Sequence, residues 1–168
     1  MNYNNVSPAV YVGTYKKYNN GSLFGRWMQL EDYDNFDDFV EACRELHKDE
    51  DAPEFMCQDF EGLPKSQYCE SGLDWLEKFF DLMDMDEDDQ NKVFEYWDNV
   101  CDGTEPQTIL DNYFCENMDD YDFGYFLADD LGRVGIPGGL RCYFDYESFG
   151  HDSKHDYYVT DNYIFLKN

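Results

Sequence analysis

Asp74-Trp75-Leu76-Glu77-Lys78-Phe79-Phe80-Asp81-Leu82-Met83-Asp84-Met85-Asp86-Glu87-Asp88-Asp89, running on to Trp97 and Asp98, interleaves two patterns. Leu73, Leu76, Phe79, Phe80 and Met83 recur at helical spacing, as do Val93, Phe94, Trp97, Val100 and Cys101 farther on. Apolar residues at that period make one face that buries itself against a neighbour. Most residues between them are carboxylates, with almost no cations to answer them. Ser71, with Asp74 three residues on, reads as a capping-box-like start. Asp86 to Asp89 place negative charge at the start of a second helix, where the macrodipole favours it, and Gly103 closes it. The stretch is an αα-hairpin, too small to be stable without neighbours, and its outer face is a dense anionic array.

The imbalance extends through the chain. Its 168 residues include 38 Asp and Glu against 12 Lys and Arg, a formal net charge of −26. Solubility needs only about 2–8 charges, and a larger excess opposes folding by self-repulsion, so something must favour the surplus. The 14 Phe, 15 Tyr and 3 Trp argue for packed structure rather than an acidic disordered tail. Residues 1–30 hold no acid, and their cations are Lys16, Lys17 and Arg26. Residues 31–62 and 63–106 hold 13 acids each, against 2 and 3 cations, and residues 107–168 hold 12 against 4. Such a surface seeks basic partners and excludes nucleic acid as a direct ligand. There is no apolar run of signal or membrane-spanning length, which implies a cytoplasmic protein away from membranes. Cys43, Cys57, Cys69, Cys101, Cys115 and Cys142 form no C-x-x-C pair and read as reduced, buried thiols, with a disulfide framework as the alternative.

Outward from the hairpin, the fold class reads as α+β in three small units, residues 1–66, 67–104 and 105–168. Residues 1–7 read as a frayed tail. Ala9 to Tyr15 reads as a strand, Asn19-Asn20-Gly21 as a turn and Leu23 to Leu30 as the return strand. Gly25 marks a bulge or a close backbone approach. Asp34 or Asn35 caps a helix whose stripe is Phe36, Phe39, Val40, Cys43 and Leu46, and Pro53 breaks it. Glu54 to Phe60 reads as a third strand. In the last unit, Thr104 caps a helix with Pro106 in its first turn. Its stripe is Ile109, Leu110, Tyr113 and Phe114. Asp119 or Asp120 caps another helix carrying Phe123, Phe126, Leu127 and Leu131. Residues 138–149 read as a short helix with a turn. Asp156–Thr160 and Tyr163–Lys167 flank Asp161-Asn162 as a hairpin.

The candidate functional residues are the acids these helices present: Asp37, Asp38, Glu41, Glu45, Asp81, Asp84, Asp86, Glu87, Asp88, Asp89, Glu95, Asp98, Asp102, Asp111, Glu116, Asp119, Asp120, Asp122, Asp129 and Asp130. Each singly reads as a solvated face; only their sum asks for a function. The rival is a calcium loop. Asp84, Asp86, Asp88 and Glu95 stand at positions 1, 3, 5 and 12 of an EF-hand pattern, although its glycine position holds Asp89. A zinc site at His151 and His155, near Asp152 and Asp156, is disfavoured because Gly150 and Ser153 suggest a loop. No nucleophile motif, phosphate-cradling glycine loop or metal cluster stands out, so the chain reads as a non-enzyme without metal or cofactor.

Three stretches resemble a known family. Tyr11-Val12, then Tyr18-Asn19-Asn20-Gly21 and Gly25-Arg26-Trp27, are similar to the opening of the ArdA-type antirestriction proteins. Gln58-Asp59-Phe60-Glu61-Gly62 resembles the family's third-strand segment. Tyr143-Phe144-Asp145-Tyr146-Glu147, Gly150, Asp152 and the closing hairpin resemble its end. The resemblance implies an elongated, curved homodimer of three-domain chains, joined through the third domain. It also implies a surface that mimics bent B-form DNA and occupies the DNA-binding groove of type I restriction–modification enzymes, in proteins that travel on mobile genetic elements. On that view the acids above stand in for phosphates, and Phe149, Tyr157 and Tyr158 are candidates for the dimer interface. The arithmetic is compatible. Residues 31–106 hold 26 acids, about one per 4.4 Å of helix at 1.5 Å per residue, against one phosphate per roughly 1.7 Å of duplex axis.

Overall fold

Val10, Val12 and Ala9 are buried, and so are Gly13 and Thr14 beside them. A strand covered on both faces belongs in the middle of a sheet. In the computed structural model, which describes residues 6–100 and 103–167, that strand is β1 (Ala9–Thr14). It lies between β2 (Arg26–Gln29) and β3 (Phe55–Glu61), antiparallel to both. Val10 pairs with Met28 on one side and Phe60 on the other. Residues 1–5 of the tail read at 1–7, and Cys101 and Asp102, lie outside the described residues. The close approach expected at Gly25 is present: a Cβ there would stand 2.5 Å from the Val12 carbonyl oxygen.

Two local readings change. The return strand is shorter than Leu23–Leu30, and a helix, α1 (Tyr15–Asn19), intervenes. The Thr14 hydroxyl caps it by accepting from the Lys17 N–H, and Gly21 leaves it at φ 78°. The helix α2 (Phe36–Leu46) forms as read, with Asn35 rather than Asp34 as its cap. It buries Phe39 and Cys43 and ends well before Pro53. Burial pushes the Cys43 and Cys57 thiols up to about 12, and all five described cysteines are free.

Beyond α2, His47 is wholly buried beside Glu50, Thr14 and the Lys17 ammonium. Lys17 Nζ lies 2.9 Å from Glu50 Oε1 and 2.7 Å from Asp49 Oδ1, and the Thr14 hydroxyl donates to Glu50 at 2.7 Å. This network ties α1 to the end of α2. Burial holds the His47 imidazole below its ordinary 6.5. Burial opposes ionisation of Glu50, but the Lys17 and Thr14 hydrogen bonds outweigh it and hold the carboxyl below its ordinary 4.5. Both depressions have one sign. The unfolded chain takes up protons that the fold refuses, so stability falls as pH drops below about 6.5 and again below about 4.5. Glu50→Gln should therefore cost about 2 kcal/mol at pH 7, where a charged hydrogen bond is lost. Denaturant melts should show the gap between variant and wild type closing as the Glu50 carboxyl protonates.

The hairpin consists of a 3-10 turn (Asp74–Leu76), α3 (Glu77–Met83) and α4 (Glu87–Val100). Ser71 is not its cap. It forms an isolated bridge with Met56 of β3, and no side chain caps the start of α3. The apolar stripes meet as the spacing implies. Phe79 packs edge-on against Trp97 at 5.4 Å, and Phe80 reaches Phe36 and Phe39 of α2 at 5.9 and 5.7 Å. Trp97 is fully buried and donates its indole N–H to the Thr104 carbonyl. Burying each such side chain contributes about 1.5–3 kcal/mol.

The described residues fall into two compact units, Met1–Gln107 and Thr108–Asn168. The second contains most of α5 (Pro106–Asp111), then β4 (Tyr113–Glu116), α6 (Asp120–Tyr125), α7 (Tyr146–Lys154), β5 (Tyr157–Val159) and β6 (Tyr163–Leu166). Its antiparallel sheet runs β4-β6-β5. Tyr113 and Phe114 are strand, not the end of a helical stripe: Tyr113 pairs with Phe165. Asp119 caps α6 by accepting from the Asp122 N–H. The helix continues as a π-helical turn (Phe126–Asp130). Phe123, Leu127, Tyr157 and Ile164 form the core, with Phe114, Phe126 and Phe149 packed against it. The chain is thus mixed helix and sheet, with two small antiparallel sheets.

Candidate functional site

The carboxylates of the hairpin are set by the same period as its core. Asp74, Glu77, Asp81 and Asp84 are spaced by 3, 4 and 3 residues and are all exposed. Residues three and four apart share a helix face, so these four form one row down α3 and the turn before it, while Leu76, Phe79, Phe80 and Leu82 face inward. On α2, Asp34, Asp37, Asp38, Glu41 and Glu45 make a second exposed row beginning just before the cap. The Phe36–Phe80 contact brings the two rows together. Between them runs a groove of about 230 Å³ lined by Asp34, Asn35, Phe36, Asp37, Glu77, Phe80, Asp81 and Asp84. Five carboxylates and no cation border it. A second, slightly smaller recess along α3, about 200 Å³, is lined by Asp74, Trp75, Glu77, Lys78, Asp81 and Glu105. Its lysine is turned inward: Lys78 Nζ bonds Gln67 and lies 4.8 Å over the Trp97 ring. Burial holds that ammonium below its ordinary range.

Fifteen of the twenty acids expected from the sequence are exposed: Asp37, Asp38, Glu41, Glu45, Asp81, Asp84, Asp86, Glu87, Asp88, Asp98, Asp111, Glu116, Asp119, Asp122 and Asp130. Asp89, Glu95 and Asp120 are half-buried, and Asp102 is outside the described residues. Some are answered by cations. Glu41 pairs with Arg44 at 3.5 Å, Glu45 with Lys48 at 2.6 Å, Asp88 and Asp89 with Lys92, and Asp120 with Lys154 and His151. Asp98 is exposed as a residue, yet partial burial of its carboxyl pushes its pKa up and weakens its claim to carry charge. Asp129 is a correction. Its side chain is 4% exposed and lies 2.6 Å from Arg141 Nη1, outside hydrogen-bond angles, while its other oxygen accepts from the Tyr146 hydroxyl. Both contacts brace the second unit. Tyr157 is buried in its own unit's core and Phe149 packs half-buried against it; Tyr158 is half-buried under Lys167. Sequence reasoning left Asp34, Asp74, Glu77 and Glu105 out of the anionic surface. The 3-4-3 spacing of the α3 row was the signal that would have found Asp74 and Glu77.

The calcium loop does not form. Helix α4 begins at Glu87, so the fourth to twelfth positions of the expected loop are helical. Asp86 caps that helix by accepting from the Asp89 N–H. Asp86, Asp88 and Asp89 do cluster, but the Lys92 ammonium sits 2.6 and 3.0 Å from the last two, and Asp84 and Glu95 are not part of the group. Among the described residues no helix is long and apolar enough to cross a membrane.

Comparison with models of known families matches residues 10–165 to the family described as antirestriction protein (ArdA). No curated protein matches the chain.

Proposed function

The chain belongs to the ArdA antirestriction family, and from that premise we propose that it acts by substituting its carboxylates for DNA phosphates in the DNA-binding groove of a type I restriction–modification enzyme. The observation that carries this reading is the groove between α2 and α3, bordered by Asp34, Asp37, Glu77, Asp81 and Asp84 without a cation. Two anionic rows flanking a groove are what a phosphate-gripping surface is built to hold, and association with such a surface is steered by charge and weakened by salt. Rigid helices serve this better than a loose tail, because less ordering entropy opposes binding. The Phe36, Phe39, Phe79, Phe80 and Trp97 core holds the rows still.

The same proposal makes the protein an inhibitor rather than an enzyme, cytoplasmic, carried on a mobile element and divided functionally at residues 66/67 and 104/105. It acts as a homodimer. Leu140 and Tyr143, 56% and 82% exposed, are apolar side chains that a second copy would cover. The test is a restriction assay. Stoichiometric protein should block cleavage of unmodified target DNA by a purified type I enzyme, and unimpaired cleavage at low salt would overturn the reading for that enzyme.

A further inference from the structure

The histidine pair of the second unit is not in a loop. His151 lies in the last turns of α7, and His155 caps that helix, so the two are four apart on one helical face. Their rings stand 5.6 Å apart, 79° to one another. Their hydrogen bonds fix the tautomers. His155 Nδ1 is 3.2 Å from the carbonyl oxygens of both His151 and Asp152. A carbonyl only accepts, so that nitrogen carries the proton. His151 Nδ1 is 3.0 Å from Asp120 Oδ2, and an ionised carboxylate likewise only accepts. In each neutral ring the lone pair is therefore on Nε2, and among the described residues no protein hydrogen bond engages either Nε2. An imidazole whose Nδ1–H is held by a carboxylate or carbonyl is the usual arrangement of a metal-binding histidine.

The geometry points to His151 and His155 as a two-imidazole site for a divalent transition-metal ion, ligated through both Nε2 atoms and completed by water. With a metal–nitrogen bond of about 2.0–2.1 Å, two rings on one ion have centroids roughly 5 Å apart, close to the 5.6 Å observed. The rings border an open recess of about 350 Å³ with Lys154, Tyr157 and Val159, which leaves room for water. Lys154 is the cation that lines it, and a second, Lys167, donates its ammonium to the His155 carbonyl at 2.7 Å. Lys154 is drawn toward α6, where its ammonium donates to the Met118 carbonyl and pairs with Asp120 Oδ1 at 2.9 Å. Asp152 and Asp156 are exposed nearby in sequence and favour a cation. Imidazole selects the class: zinc, nickel and copper rather than magnesium or calcium, with Cu²⁺ tightest. The many carboxylates elsewhere prefer the hard ions, so the two populations separate by metal. Because Asp120 belongs to α6, a bound ion would couple the end of α7 to α6 and stabilise the second unit by mass action. This inference is independent of the antirestriction reading.

The chain has three histidines, and the third, His47, is buried. Nitrogen NMR of histidine-labelled full-length protein, titrated with Zn²⁺ above pH 7, resolves them. The expected result is a shift of Nε2 in His151 and His155 together, with Nδ1 still protonated and His47 unmoved. His151→Ala and His155→Ala should each abolish the shift of the other ring. Asp120→Asn should weaken binding about 10–100-fold, as loss of an orienting partner does. A Nε2 that does not move in either ring, or undiminished Zn²⁺ affinity in either alanine variant, overturns the site. Both histidines are exposed, so the variants fold.

Discussion

Replacing the acids of the α2–α3 groove together, as Asp34→Asn, Asp37→Asn, Glu77→Gln, Asp81→Asn and Asp84→Asn, is expected to weaken inhibition of a type I enzyme roughly 10²–10³-fold, at about three- to fourfold per charge contact. The fold should survive. All five are exposed, and none has a cation within ion-pair distance among the described residues, so no buried partner is orphaned. Removing like charges also relieves the self-repulsion of a chain at −26. Asp37, in the first turn of α2, and Glu77, in the first turn of α3, each give up a favourable dipole interaction, worth a few tenths of a kcal/mol. Helical circular dichroism and the thermal midpoint should hold while inhibition falls. The control is Glu147→Gln with Asp161→Asn, two exposed acids of the second unit outside the candidate surface. If the five-fold variant inhibits as well as wild type, the contact surface lies away from this groove.

The second large effect is expected where α6 and α7 cross. A Cβ on Gly124 would stand 1.9 Å from the Tyr146 carbonyl oxygen, and one on Gly150 would stand 1.8 Å from that of Asp120. Both obstacles are backbone, so no side-chain rotation relieves them and the helices must part. Overpacking of this kind costs about 3 kcal/mol. At about 0.05–0.15 kcal/mol per residue, a unit the size of Thr108–Asn168 has only roughly 3–9 kcal/mol to lose. Gly124→Ala should therefore abolish hydrogen-exchange protection across α6, α7 and β6 at moderate temperature. Gly138→Ala, where nothing lies within 4 Å, should leave it intact. Equal protection in both variants would mean that the two helices do not meet through their glycines.

Both predictions rest on contacts that sequence displays unequally. The stripes of α2, α3 and α4 were legible because Phe39, Cys43, Phe79 and Trp97 repeat at the helical period and all are buried. The closing hairpin was legible because Asp161-Asn162 separates two β-rich runs, which became β5 and β6. Strand β4 was not, because Tyr113 and Phe114 extend the period of Ile109 and Leu110 and their pairing partner Phe165 is remote in sequence. Helix α1 was missed for a local reason: five residues carry no periodic signal, and the Thr14 cap decides the matter. For the site, each anionic row had a readable period, but the groove did not exist until Phe36 and Phe80 met. Asp129 looked like any other acid because Arg141 and Tyr146, which enclose it, lie beyond a turn. Likewise, Gly150 and Ser153 suggested a loop at the histidine pair, whereas the Asp145 cap, accepting from the Ser148 N–H, starts a helix through both.

The most direct measurement is displacement. A type I methyltransferase core is loaded with a labelled duplex carrying its target, and the protein is added at low salt. The account predicts that stoichiometric protein releases the duplex, that excess duplex reverses the release in proportion to its concentration, and that added salt weakens the protein's hold on the core. A ternary complex, in which the enzyme is inhibited while the duplex stays bound, would contradict it.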